Sequence, residues 1–121
     1  MENKRQTTRV QSRYPISLLK ANGQIVEGEI RNLSLKGSYI IGDDLSLIKV
    51  WETLRFRIDL KDVRRTITLC GKAKVTRTLG SIAVGVHFLS MDVESAQHLV
   101  QILSYASGDG DQIEKEFLEN Y

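Results

Sequence analysis

Between Tyr14 and Phe88 the apolar residues recur mostly at every second position, the period of strands that bury one face. Leu54, Phe56, Ile58 and Leu60 alternate with Arg55, Arg57 and Asp59, and Ile82, Val84, Val86 and Phe88 alternate with Gly85 on the opposite face. Ile67, Leu69, Ala73 and Val75 predict another long strand, bent at Gly71, where a bulge or a barrel corner fits. Upstream, Tyr14 to Lys20 reads as a first strand with Pro15 at its start, where a missing N–H harms a sheet least. Asn22-Gly23 is the strongest two-residue hairpin signal, and the chain returns through Gln24 to Leu33 on Ile25, Val26 and Ile30. Gly37 to Ile41 makes a third strand, ended by Gly42-Asp43-Asp44. Six strands at this spacing predict an all-β fold built as a small antiparallel barrel.

Past the last strand the period changes to that of a helix. Val93, Ala96, Leu99, Val100 and Leu103 fall on one helical face, with Asp92 as N-cap and Gly108 as stop. Such a helix packs across the barrel or plugs one open end. Ser107 to Asp111 reads as a linker, and Ile113, Phe117, Leu118 and Tyr121 outline a short second amphipathic helix or an acidic tail. The first dozen residues show no hydrophobic period and predict a mobile arm. The chain thus divides into an arm at 1–13, a barrel with its packing helix at 14–106, and a C-terminal tail at 107–121.

Charge sharpens this division. The net charge of +2 says little, but Lys4, Arg5, Arg9, Arg13 and Lys20 stand against Glu2 alone in the first twenty residues. In the last thirty, Asp92, Glu94, Asp109, Asp111, Glu114, Glu116 and Glu119 stand against Lys115 alone. That asymmetry suits an anionic partner at the first end. No apolar run approaches the roughly 20 residues of a membrane helix, which argues against membrane insertion. The N-terminus lacks a signal-peptide core, and the single Cys70 has no disulfide partner, so a cytoplasmic protein is expected.

Catalysis finds no constellation. His87 falls on a strand and His98 on the helix, Cys70 has no CxxC partner, and no G-x-S-x-G turn occurs. Phosphate-cradling loops lack a βαβ unit to sit on. An enzyme is therefore not expected, and neither a metal nor a cofactor is called for. A barrel binding single-stranded nucleic acid needs exposed aromatic platforms in a basic groove. Here Phe56 and Phe88 fall on core positions, and the positive charge gathers at one end, so a nucleic-acid polymer is not the expected partner.

Two short motifs carry the remaining chemistry. Arg5 and Arg9 form an R-x-x-x-R on the arm, and Asn32, Ser34 and Gly37 form an N-x-S-x-x-G after the second strand, 23 residues beyond Arg9. Arginine can fork two hydrogen bonds onto the O6 and N7 edge of guanine, stack on a base, or pair with phosphate. Asn32 offers an amide to a guanine edge, Ser34 a hydroxyl, and Gly37 a backbone that a ligand can approach closely. Either motif alone is common in tails and turns. Together, in this order and ahead of a barrel, they resemble the signature of PilZ domains, bacterial receptors for cyclic di-GMP. Val10, Pro15-Ile16 and the strand Ala83-Val84-Gly85-Val86-His87-Phe88 are similar to the family as well, and the resemblance spans roughly residues 4–106.

The resemblance implies a six-stranded PilZ-type barrel that binds cyclic di-GMP through Arg5, Arg9, Asn32, Ser34 and Gly37, with further contacts from Lys4, Arg13 and Gly85. It also implies that Lys4, directly before the first arginine, accompanies binding of two stacked ligand molecules. Many members carry Asp where this chain has Asn32; the amide keeps the shape but loses charge assistance. Signalling would follow from ligand-induced ordering of the arm and altered contacts with an unidentified protein partner. A PilZ-like adaptor that binds no nucleotide is the alternative. The downstream target and the oligomeric state stay open.

Overall fold

Six strands and one helix follow in the order β1 (Val10–Leu19), β2 (Ile25–Leu33), β3 (Gly37–Ile41), β4 (Thr53–Lys61), β5 (Thr66–Leu79), β6 (Ala83–Met91) and α1 (Val93–Ser107). They are seen in a computed structural model that describes residues 10–61 and 66–107, together with Gln112 and Lys115. Every strand pairing is antiparallel. The strands close into a barrel in the order β1-β2-β3-β6-β5-β4, as the spacing of the sequence predicts.

Alternation along the strands fills the barrel. Ile16 and Leu18 of β1, Ile30 of β2, Ile40 of β3, Leu54, Phe56 and Ile58 of β4, Leu69, Ala73 and Val75 of β5, and Val84, Val86 and Phe88 of β6 are all buried. Phe56 and Phe88 meet with ring centroids 5.0 Å apart at 32°, a tilted contact that favours aromatic pairs beyond their area. Both are core residues, as their positions in the alternation require. Gly71 stands opposite Phe56, and a Cβ there would press on its ring at 2.9 Å. The register does not bulge β5 at Gly71: the break between Lys72 and Ala73 places its extra residue, Leu89, on β6, and the extra residue of β5 is Thr76.

Three further local expectations need correction. The first strand begins at Val10 and not at Tyr14, so Val10 to Arg13, expected on the arm, belong to β1. Asn22-Gly23 does not form a two-residue loop. Lys20 and Gln24 still exchange a bond at 2.8 Å, Gly23 donates to the Lys20 carbonyl at 3.0 Å, and only Gly23 has a positive φ, at 90°. A three-residue loop of this kind needs one left-handed residue at its end, and glycine supplies it. The last strand also begins after Ile82, which is 63% exposed in the turn, while Ala83 and Val84 are both buried. Strict alternation fails at the strand's first residue because Ala83, paired with Ile41 and Leu79, enters the barrel wall there.

Pro15 pairs with Glu29 on one side, and the β1–β4 ladder starts one residue later at Ile16, so the missing N–H falls outside the doubly paired stretch. The loop between β3 and β4 sends Leu45 and Ile48 into the core. Helix α1 starts as expected: the Asp92 carboxylate accepts from the Ser95 N–H at 2.7 Å, capping the first turn. That bond, with a second from the Ser95 hydroxyl, holds the Asp92 carboxyl below its ordinary value of 3.8. The Ser95 hydroxyl in turn accepts from the Cys70 N–H at 3.1 Å, tying the helix start to β5. Leu99 and Leu103 then bury completely, and α1 packs on β5 and β1. Gly108 and the second amphipathic stripe, Ile113 to Tyr121, lie outside the described residues.

Candidate ligand-binding site

The start of β1 joins the two motifs. Val10 pairs with Leu33 and Gln11 with Asn32, so the residue bonded to Arg9 sits beside the backbone that carries Asn32 and Ser34. Lys4, Arg5 and Arg9 themselves lie outside the described residues. Immediately after Gln11 the register breaks, and the next pair is Tyr14 with Ile30. Ser12 and Arg13 therefore oppose Arg31 alone, and the β2–β3 register shifts at the same place. Bulges of this kind bend a strand and re-aim its side chains. Arg31, missed by sequence reasoning, brings its Nε to 3.5 Å from the Glu29 carboxylate beside Asn32.

The turn between β2 and β3 is held by the serine and the glycine of the second motif. Ser34 is 4% exposed. Its hydroxyl accepts from the N–H groups of Lys36 and Gly37 and donates to the Gly37 carbonyl, each at 3.3 Å. The Ser34 N–H adds a bond to the same carbonyl at 3.0 Å. Gly37 needs no left-handed φ; a Cβ there would land on the Val86 carbonyl oxygen and lie 3.3 Å from the His87 Cα. The close approach that glycine permits at this position is thus that of β6. Leu35 at the turn's tip is buried, and the Lys36 carbonyl accepts from the Phe88 N–H at 2.7 Å. The turn is locked to β6 and to the core at once.

Across the strands the register lays out a row that the sequence does not announce. Asn32 stands opposite Tyr39, Tyr39 opposite Gly85, and Gly85 opposite Arg77. In the neighbouring row Gly37 stands opposite His87, and His87 opposite Lys74. Asn32, Tyr39 and Gly85 are half-buried and Arg77 is exposed. At Gly85 a Cβ would meet nothing nearer than the Arg77 Cβ at 3.6 Å, so the sheet itself does not demand glycine there. The result is a shallow patch of backbone at Gly85, flanked by a phenol ring, a guanidinium and an amide. Such a surface can take a flat base and offers an arginine to its edge or to a phosphate.

Structure therefore brings Asn32, Ser34, Gly37 and Gly85 into one neighbourhood and places Arg13 at its bulge. Tyr39, Arg77, His87 and Lys74 join it through strand register alone. Among the described residues, no group of three His, Cys, Asp or Glu gathers as a metal ion requires, and no helix is long and apolar enough to cross a membrane.

Comparison with known proteins gives a family model, described as PilZ domain, that matches residues 3–105. No curated protein matches the chain. Among solved structures the chain is similar to the Bacillus subtilis inhibitor of motility, MotI/DgrA, with a TM-score of 0.75 at 18% identity, over 89% of this chain and 53% of that one. It is also similar to the PilZ domain with c-di-GMP of YcgR from Escherichia coli, with a TM-score of 0.69 at 11% identity, over 93% and 98% of the two chains. The PilZ domain of CeSA from a cellulose-synthesizing bacterium matches with a TM-score of 0.60 at 15% identity, over 83% and 98%. The chain thus spans about half the length of the MotI/DgrA structure.

Proposed function

Because the chain belongs to the PilZ family, we propose that it is a receptor for cyclic di-GMP that acts through a protein partner and not through chemistry of its own. Arg5 and Arg9 would grip the guanine edges and phosphates, with Lys4 and Arg13 adding charge. Asn32 would present its amide, and Ser34 and Gly37 would serve by fixing the turn that aims it. Gly85 would leave room for a base between Tyr39 and Arg77. The reading rests most on one observation: Val10, bonded to Arg9, pairs with Leu33, between Asn32 and Ser34. The chain just after the first motif thus runs beside the second.

Binding would order residues 4–9 against the barrel and create a composite surface of arm, ligand and sheet for a partner to read. Fixing each backbone residue costs about 1–2 kcal/mol, so ordering offsets part of the contact energy. Similarity to the Bacillus subtilis inhibitor of motility makes a motility component a reasonable first partner to test. Calorimetric titration with cyclic di-GMP and, separately, with a short oligonucleotide is the direct experiment. Saturable binding of the dinucleotide alone is expected. Absence of that binding would favour an adaptor without ligand, and broad salt-sensitive affinity for the oligonucleotide would favour a strand-binding barrel.

A further inference from the structure

A second concave surface lies away from this patch. It is a groove of about 700 Å³ lined by residues of β1, β2, β4, β5 and β6, among them Leu19, Ile25, Phe56, Arg55, Lys72 and Cys70. Leu19 and Ile25 are 36% and 62% exposed, so its apolar wall faces solvent. Arg55 and Lys72 stand directly opposite each other in the β4–β5 register. Like charges so placed destabilise a sheet, and neither has an ion-pair partner among the described residues.

The acids at the groove's rim are already engaged. Glu27 accepts from the Ser17 hydroxyl at 2.9 and 3.1 Å, Asp92 caps α1, and the nearby Arg57 is taken by Asp59 at 3.2 Å. Arg55 and Lys72 thus stand as two cations beside the apolar wall of Leu19 and Ile25.

The chain carries a segment with the complementary groups. Residues 109–121 hold Asp109, Asp111, Glu114, Glu116 and Glu119 against Lys115 alone, interleaved with Ile113, Phe117 and Leu118. We propose that this C-terminal segment docks into the groove of its own barrel, with carboxylates toward Arg55 and Lys72 and Phe117 and Leu118 on Leu19 and Ile25. The reach is sufficient. Asp92, just before α1, lines the groove, and a helix the length of α1 spans about 22 Å. Gln112 and Lys115 are helical, and with one helical turn there the fourteen residues after Ser107 still reach up to about 39 Å, while Gly108 and Gly110 allow reversal. Tethering also gives the segment an effective concentration near the millimolar range, so modest contacts suffice. A partner that uses this groove must then displace the tail.

Cys70, the sole cysteine, is exposed within the groove and serves as the probe. Its alkylation by a neutral maleimide is followed in the full chain and in full-length Phe117→Ser/Leu118→Ser and Arg55→Gln/Lys72→Gln variants. Each variant should react several-fold faster than the parent, with no further gain on combining them, while Arg77→Gln, outside the groove, should match the parent. A tail variant reacting at the parent's rate overturns the proposal. Protection that fades on dilution also overturns it, because the occupant would then be the tail of a second copy.

Discussion

At Gly37 the barrel leaves no space for a methyl group, whereas at Gly85 it does. Substitution at the two glycines therefore offers a test that separates folding from binding. Gly37→Ala should destabilise the protein by about 1–3 kcal/mol, the usual cost of overpacking, read as a fall in Tm. Gly85→Ala should leave Tm unchanged or slightly higher, since glycine within a strand carries an entropic cost, yet weaken cyclic di-GMP binding. The opposite result at Gly85, with stability lost and affinity kept, would remove that glycine from the site. Arg9→Ala should cost about 1–3 kcal/mol of binding, a loss of roughly five- to more than a hundredfold. Unchanged calorimetric binding in an Arg5→Ala/Arg9→Ala double variant would refute the arginine assignment.

Among the elements, α1 depends on its cap. Asp92→Ala removes the acceptor that holds the Ser95 N–H, so thermal unfolding at neutral pH should shift to lower temperature. The carboxyl's folded value lies below its ordinary 3.8. Its contribution is therefore complete above that value and lost as pH falls through the lower, folded one. The parent and the variant should accordingly converge in stability in strong acid and differ at neutral pH; a gap that persists in acid would place the cap's worth elsewhere. This start signal was legible in the sequence because capping is local, as were strand alternation and helix period. The three-residue loop at Gly23 was not, because choosing between hairpin loops depends on how the flanking strands register. The row from Asn32 through Tyr39 and Gly85 to Arg77 was hidden for the same reason: it joins four strands, and only pairing reveals it. Ser34 illustrates the limit within a single motif. Its identity marked the turn, but nothing in the sequence told whether its hydroxyl would face outward or, as found, inward to Lys36 and Gly37.

For the whole molecule, the decisive question is whether ligand joins the first residues to the barrel. Lys4, Arg5 and Arg9 are candidate trypsin sites ahead of β1, and saturating cyclic di-GMP should slow cleavage there while leaving sites on the barrel unchanged. Equal rates with and without ligand would leave the arm out of the signal. Closure of the barrel adds a constraint of its own, since each of the six strands already has a neighbour on both sides. Among the described residues the cover is incomplete only at strand ends, since β1 pairs with β4 from Ile16 to Leu19 and β5 with β6 from Gly71 onward. A partner that adds a strand must use one of these short stretches, and elsewhere it must read shape and side-chain chemistry. The same closure shortens the edge on which fibrils could grow, which works against self-aggregation.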